Sequence, residues 1–261
     1  MDIIVLVKQV PDTEGTPSDY EIDSQNKKVI PRGIPPVISP FDENALEVAI
    51  CIKETHGGKI IAMSAGENLS KAVLIKALAM GADELVLVQD KIFENIDARS
   101  IALVLSKAIE KTGKYDLIFA GRQAGDWDQG QVGLMVAEIL DIACITLARK
   151  VDIENGTIRI EKVVPGGYEI IRAGMPALIT VSNEAGEPRY ASIRTIKAAK
   201  EKPIKSLSAK DIGIDPSDLS KRELVKLFAP DWKKECTFIP GGDPREKGVN
   251  LALMLKEKGL I

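Results

Sequence analysis

Five stretches of this chain, Ile3 to Val7, Lys59 to Ser64, Glu84 to Val88, Asp116 to Ala120 and Ala143 to Leu147, are apolar nearly end to end. A strand with one face in water alternates apolar and polar residues, because successive side chains point to opposite faces. Strands that do not alternate need cover on both faces, and in a chain of this kind that means a parallel sheet between helices. Helical patterns separate the runs: Asp42 to Lys53, Leu69 to Met80, Ala98 to Lys111 and Gly130 to Leu140. In the last of these, Val132, Met135, Val136, Ile139 and Leu140 recur at helical spacing and form one apolar stripe. Gly81 and Gly113 stand where two helices should stop in left-handed caps. The order predicts a three-layer α/β fold around a mostly parallel sheet.

Two insertions break the alternation. Pro11 to Ser39 is polar and proline-containing and reads as a long link without structure, a kind that is often functional. It closes on Ser39-Pro40-Phe41-Asp42, which offers a serine N-cap, proline at the first helical position and an acid in the first turn. Arg149 to Val181 shows two alternating runs around Asn155-Gly156, a hairpin signal that predicts antiparallel strands added to the sheet. After Phe228 the chain is irregular through Ala229-Pro-Asp-Trp232 and Pro240-Gly-Gly-Asp-Pro244, then ends in an amphipathic helix, Arg245 to Lys258. The expected division is an α/β body over 1–228 and a C-terminal arm over 229–261. Such a tethered helix docks either on a partner subunit or on its own body.

A net charge of −3 argues against nucleic acid or an anionic membrane as the main partner. Only 4% of residues are aromatic, too few for a base-stacking platform. No apolar run is long enough to span a bilayer. Met1-Asp2-Ile3 enters a strand with no basic region ahead of it, so the expectation is no signal peptide and a cytoplasmic location. Cys51 and Cys144 sit in apolar patterns and are expected to pack in the core. With one histidine, His56, and no Cys-x-x-Cys, there is little material for a zinc site or a hydrolytic triad. No metal ligand and no catalytic residue is assigned.

The strand-like run ending at Ala120 opens into Gly121 to Gly133, GRQAGDWDQGQVG, with four glycines, two aspartates and three glutamines. In an alternating α/β chain, backbone N–H groups and a helix N-terminus face solvent at such a junction and suit a phosphate. The loop has no nucleophile and no histidine, so it is built to hold a nucleotide rather than to cut one. Backbone amides of Gly125, Gly130 and Gln131 are candidates for phosphate oxygens. Asp126 and Asp128 would repel phosphate and are expected to cap the next helix or to accept from ribose hydroxyls or backbone amides. Arg122 has two readings, toward a phosphate or toward a subunit interface. Trp127 likewise either touches the nucleotide or packs beneath the loop, and Lys8 is either a ligand contact or a surface charge.

Several segments together resemble the β subunit of electron transfer flavoprotein. They are Lys8-Gln-Val-Pro-Asp-Thr13, Ser39-Pro-Phe-Asp-Glu-Asn-Ala-Leu46, Ala77-Leu-Ala-Met-Gly-Ala-Asp83, Gly121-Arg-Gln-Ala124 with Asp126 and Gln131, and Glu187-Pro-Arg-Tyr-Ala-Ser192. The resemblance implies a heterodimer with an α subunit, an FAD held mainly by that partner, and electron shuttling between acyl-CoA-type dehydrogenases and a downstream acceptor. It places an adenine nucleotide against Leu6, Ser39, Pro40, Phe41, Asp42, Ala65, Gly121, Arg122, Gln123, Ala124, Gly125, Asp126, Trp127, Asp128, Gln129, Gly130, Gln131 and Val132. It also makes the basic segment Arg189, Tyr190, Ala191, Ser192, Ile193, Arg194 and Lys197 a docking loop for a partner dehydrogenase, with Ile193 as apolar anchor. The bland reading of that segment is a solvated helix face.

Family members hold either a structural AMP in this subunit or a second FAD used to bifurcate electrons from NADH. Lys8 to Thr13 and Gln131-Val132-Gly133 look like the FAD kind. Trp127 where glycine is common, Glu67 near any diphosphate, and the Glu187 to Ser192 run look like the AMP kind. AMP is the reading adopted, with a second FAD as the alternative. A rival of another class, a stand-alone adenine-nucleotide sensor, lacks its usual Ser-Gly-Gly-x-Asp-Ser loop after the first strand.

Overall fold

The first apolar run folds as β1 (Asp2–Leu6) and shows why both faces of the sheet are dry. Ile3 and Val5 enter one core cluster, while Ile4 and Leu6 enter the other on the opposite face. The computed structural model describes residues 1–229 and 236–261. Pro230 to Glu235, part of the expected arm and including Trp232, lie outside the described residues.

The link after β1 is not structureless. It contains β2 (Gln9–Val10), β3 (Tyr20–Asp23), β4 (Lys28–Pro31) and β5 (Val37–Ile38). β2 pairs with β5 and β3 with β4, giving two small antiparallel sheets whose ladders satisfy part of the link's backbone groups. Next come α1 (Pro40–His56), β6 (Lys59–Gly66), α2 (Lys71–Met80), β7 (Glu84–Gln89), α3 (Ala98–Thr112), β8 (Leu117–Gly121) and α4 (Val132–Ile139). The antiparallel strands are β9 (Ala143–Glu154), β10 (Thr157–Val164) and β11 (Gly167–Ala173), followed by β12 (Ala177–Val181), α5 (Ile193–Ala199), β13 (Ile204–Leu207) and α6 (Pro244–Glu257).

Nine strands form one sheet in the order β11-β10-β9-β12-β8-β1-β6-β7-β13. From β9 to β13 every pairing is parallel, and β9-β10-β11 add an antiparallel flank. Buried residues of α1 and α2 (Leu46, Ala49, Leu74, Leu78) cover one face, and those of α3 and α4 (Val104, Leu105, Val136, Ala137) cover the other. Each fully buried aliphatic or aromatic side chain contributes about 1.5–3 kcal/mol. The three-layer α/β expectation holds.

Several local expectations are corrected. β12 was hidden inside the second insertion, yet all five of its residues are buried between β8 and β9. β13, in the basic stretch, is a further parallel strand at the far edge. β9 is longer than the apolar run and only partly buried. It bends where Leu147 takes a positive φ and donates its N–H to Thr180 Oγ1. Gly81 and Gly113 have positive φ, 153° and 104°, without reaching the left-handed helical conformation. Cys51 and Cys144 are exposed rather than core residues. Cys51 lies on the solvent face of α1 beside Glu47, and Cys144 on the thinly covered start of β9. The Asn155-Gly156 turn forms as expected, with φ of 51° and 76° joining β9 to β10. Among the described residues, no helix is long and apolar enough to cross a membrane.

Candidate functional site

The chain lays β6 and β7 on one side of β1 and then returns to place β8 on the other. The helix after β1 covers one face and the helix after β8 covers the opposite face, so a crevice opens between the two carboxyl ends. A cleft of about 360 Å³ occupies that crevice. It falls within the range of small-ligand sites, near the lower end.

One buried carboxylate organises it. Asp42, on the first turn of α1, accepts the N–H of Lys8 at 2.8 Å and the N–H of Gly121 at 3.0 Å, one with each oxygen. It therefore staples the end of β1 to the end of β8. Burial pushes its carboxyl up to about 7, against the pull of those two donors and the Lys8 charge, and Asp126 adds to the rise. The approach requires glycine: a Cβ at Gly121 would stand 2.5 Å from Asp42 Oδ1 and 2.7 Å from the Phe41 backbone. Ser39 does not cap α1 as expected, and its hydroxyl accepts the N–H of Gly125 at 3.3 Å instead.

The loop after β8 is held from both sides. Lys8 Nζ meets both oxygens of Asp126 at 2.7 Å, so the lysine answers a loop carboxylate. Asp126 also accepts the N–H of Trp127, and Asp128 accepts from the Gln123 amide at 2.9 Å. Neither aspartate caps α4, whose first residue follows an uncapped Gln131. Gly130 has φ +60°, a conformation that lets the chain turn into α4. Among the described residues, no acceptor is paired with the N–H of Gly130 or of Gln131.

Arg122 carries the site's unmet polarity. Its guanidinium sits 4.9 Å over the Phe41 ring, and its buried Nε has no hydrogen-bond partner among the described residues. A buried charged donor left unpaired is costly unless a ligand answers it. The residue lines the cleft, so an anion there would meet it.

Of the residues singled out from the sequence, Leu6, Lys8, Asp42, Ala65, Gly121–Ala124, Trp127 and Gln129–Val132 line the cleft. Ser39, Pro40, Phe41, Gly125, Asp126 and Asp128 lie outside its lining, several of them bracing it from behind. Glu67 does not line it, although its neighbours Gly66 and Asn68 do. Sequence reasoning missed the wall from Phe93 to Ala98 and Arg222 opposite Trp127. Asp97 was findable, since it is an aspartate N-cap that accepts the N–H of Ser100 at 2.7 Å. Arg222 carried no local signal, because only tertiary pairing brings it there.

The basic segment divides in two. Arg189 is committed to Glu47 and Glu54, at 2.9 and 2.6 Å, and Ala191 is buried. Ser192 caps α5 by accepting the N–H of Thr195. Tyr190 and Ile193 stand 90% and 75% exposed, with Arg194 and Lys197 also in solvent. Clamped at Arg189 and capped at Ser192, the segment presents an isoleucine and a tyrosine amid positive charge.

Comparison with known proteins agrees with this architecture. The profile of the electron transfer flavoprotein domain matches residues 28–212. The chain is 46% identical to electron transfer flavoprotein subunit beta of Thermoanaerobacterium thermosaccharolyticum, with all of both chains covered. It is 40% identical to the subunit beta of Clostridium acetobutylicum, over 84% of this chain and 83% of that one. It is 36% identical to the caffeyl-CoA reductase-Etf complex subunit CarD of Acetobacterium woodii, again over the full length of both. With the fold, the cleft and these likenesses together, the chain belongs to the electron transfer flavoprotein family, among its β subunits.

Proposed function

We propose that the chain is the β subunit of a heterodimeric electron transfer flavoprotein, carrying electrons between acyl-CoA-type dehydrogenases and a downstream acceptor, with AMP held structurally in the switch-point cleft. The single observation that carries the nucleotide assignment is the buried Arg122 Nε, which has no partner among the described residues, in a cleft whose loop also leaves the Gly130 and Gln131 N–H groups without an acceptor among them. These groups fit a phosphate at a helix N-terminus. The apolar wall of Phe93, Ile101 and Leu105 fits a base.

Flavin, when bound between this chain and an α subunit, supplies the redox chemistry, and the protein supplies position and electrostatics. On this reading the segment from Tyr190 to Lys197 docks the dehydrogenase, Ile193 being the apolar anchor ringed by charge. The exposed Val249 and Leu253, one turn apart on α6, give the arm an apolar stripe for the α subunit. A second FAD in the cleft is the other reading, favoured by Lys8 to Thr13 and by Gln131-Val132-Gly133. Mass spectrometry of the nucleotide released from purified protein tests both. AMP alone supports the proposal, FAD from this subunit replaces it with the second reading, and no adenine nucleotide overturns both.

A further inference from the structure

One side of α1 carries Asn44, Glu47, Cys51 and Glu54, spaced three and four residues apart so that they stand in a row. The segment leading into α5 lies along that row. Asn44 donates its side-chain amide to Gly186 O at 2.6 Å. Three residues on, Arg189 donates its backbone N–H to Glu47 Oε2 at 3.0 Å. Its guanidinium spans both acids: Nε and Nη2 each meet Glu47 at 2.9 Å, while Nη1 and Nη2 meet Glu54 at 2.6 and 3.1 Å. Cys51, between the two acids, donates its thiol to Glu47 Oε1 at 3.5 Å.

An isolated exposed ion pair does little to order a chain. This one differs in two ways. The planar guanidinium fixes direction as well as distance, and the glutamate that takes its charge also takes the main-chain donor. Backbone and side chain of Arg189 are therefore held by one helix. The clamp ends immediately before Tyr190, whose side chain is left in solvent. Beyond it, buried Ala191 and the Ser192 cap start α5 with exposed Ile193 as its first residue. Arg189 is thus withdrawn from the basic surface, whereas Arg194 and Lys197 remain exposed.

We infer that Glu47 and Glu54 of α1 are positioning residues for docking: through Arg189 they hold the entry to the docking segment rigid, so that Tyr190 and Ile193 meet the dehydrogenase already arranged. This inference rests on the docking reading proposed above. Neither glutamate touches the partner. Without them, the stretch from Gly186 to Tyr190 is free to move and must be ordered at each encounter, and that entropy loss weakens binding. Charge alone predicts the reverse. A partner complementary to Arg194 and Lys197 is acidic, so removing two nearby carboxylates would strengthen its attraction.

The test is stopped-flow reduction of the flavin-loaded heterodimer by a short-chain acyl-CoA dehydrogenase pre-reduced with butyryl-CoA, over a range of dehydrogenase concentrations. Glu47→Ala with Glu54→Ala should raise the half-saturating concentration about fivefold and leave the limiting rate within about twofold. Glu54→Ala alone, at the more exposed acid, should raise it about twofold. In an Ile193→Ala background the paired change should add less than about twofold, because the clamp acts only by presenting that side chain. Hydrogen exchange of the free heterodimer should quicken at Arg189 and Tyr190 and stay unchanged in the sheet. If Ile193→Ala weakens docking while the glutamate variants match or surpass the wild type, the clamp fails and the docking segment stands. A full loss that persists in the Ile193→Ala background also sinks the clamp, since the glutamates would then act elsewhere. If neither Ile193→Ala nor the glutamate variants alter saturation, the docking reading falls and the clamp with it.

Discussion

Asp42 and Gly121, 79 positions apart, are joined by a 3.0 Å hydrogen bond from the glycine N–H to a buried carboxylate. Because the other oxygen takes the N–H of Lys8, one side chain registers the two strands that flank the crevice. Asp42→Ala leaves two backbone donors without an acceptor, at about 1–3 kcal/mol each. The expected loss of stability is about 2–6 kcal/mol, read by urea denaturation. A change below about 0.5 kcal/mol would show that the staple is dispensable.

The same carboxyl gives a pH dependence of defined sign. Burial raises it from 3.8 to about 7, so between those values the folded chain keeps a proton that the unfolded chain has released. Stability then falls as pH rises through that window. Measured against Asp42→Asn, which cannot ionise, the wild type should lose stability on the order of 2–4 kcal/mol between about pH 4 and about pH 7.5. Denaturation curves of the two proteins that stay parallel over this range would contradict it.

Glu84 predicts the opposite slope. It is buried at the start of β7, with Lys59 and Lys205 Nζ each 2.5 Å from a carboxylate oxygen. Burial pushes its carboxyl up, but the two lysines outweigh that and hold it below the ordinary range. Its contribution is present above the unfolded value and is lost as pH falls through the folded one. Both lysines reach solvent, so Glu84→Gln should cost only about 1–2 kcal/mol near neutral pH and less in acid. Stability curves for this variant and the wild type should therefore converge toward low pH.

Ile193 stands 75% exposed, so Ile193→Ala should change stability by no more than about 0.5 kcal/mol. If it anchors a dehydrogenase, electron transfer from that partner should slow about tenfold, as for loss of an interface anchor. Nucleotide content should be unchanged. Stopped-flow transfer at wild-type rates would remove the docking role.

The layered sheet was legible because burial on both faces writes itself locally: Ile3 to Val7 cannot alternate and still be covered twice. The loop from Gly121 to Gly133 was legible for a related reason, since strand, glycines and helix follow one another within a few residues. β12 and β13 were harder, for β12 follows a hairpin insertion and β13 sits among lysines whose charges mask a short strand. Cys51 misled because its helix carries apolar residues on more than one side, and only packing decides which side is covered.

What the sequence determined by itself was the set of elements, their parallel arrangement and the family, since these depend on period, turn chemistry and motifs carried by neighbouring residues. Only the tertiary structure decided that Asp42 bridges β1 and β8, that Lys8 answers Asp126, and that Arg222 covers Trp127. Those contacts join residues 34 to 118 positions apart for the first two pairings. No local propensity encodes such distances. They arise when the sheet orders its strands and brings remote loops to one edge.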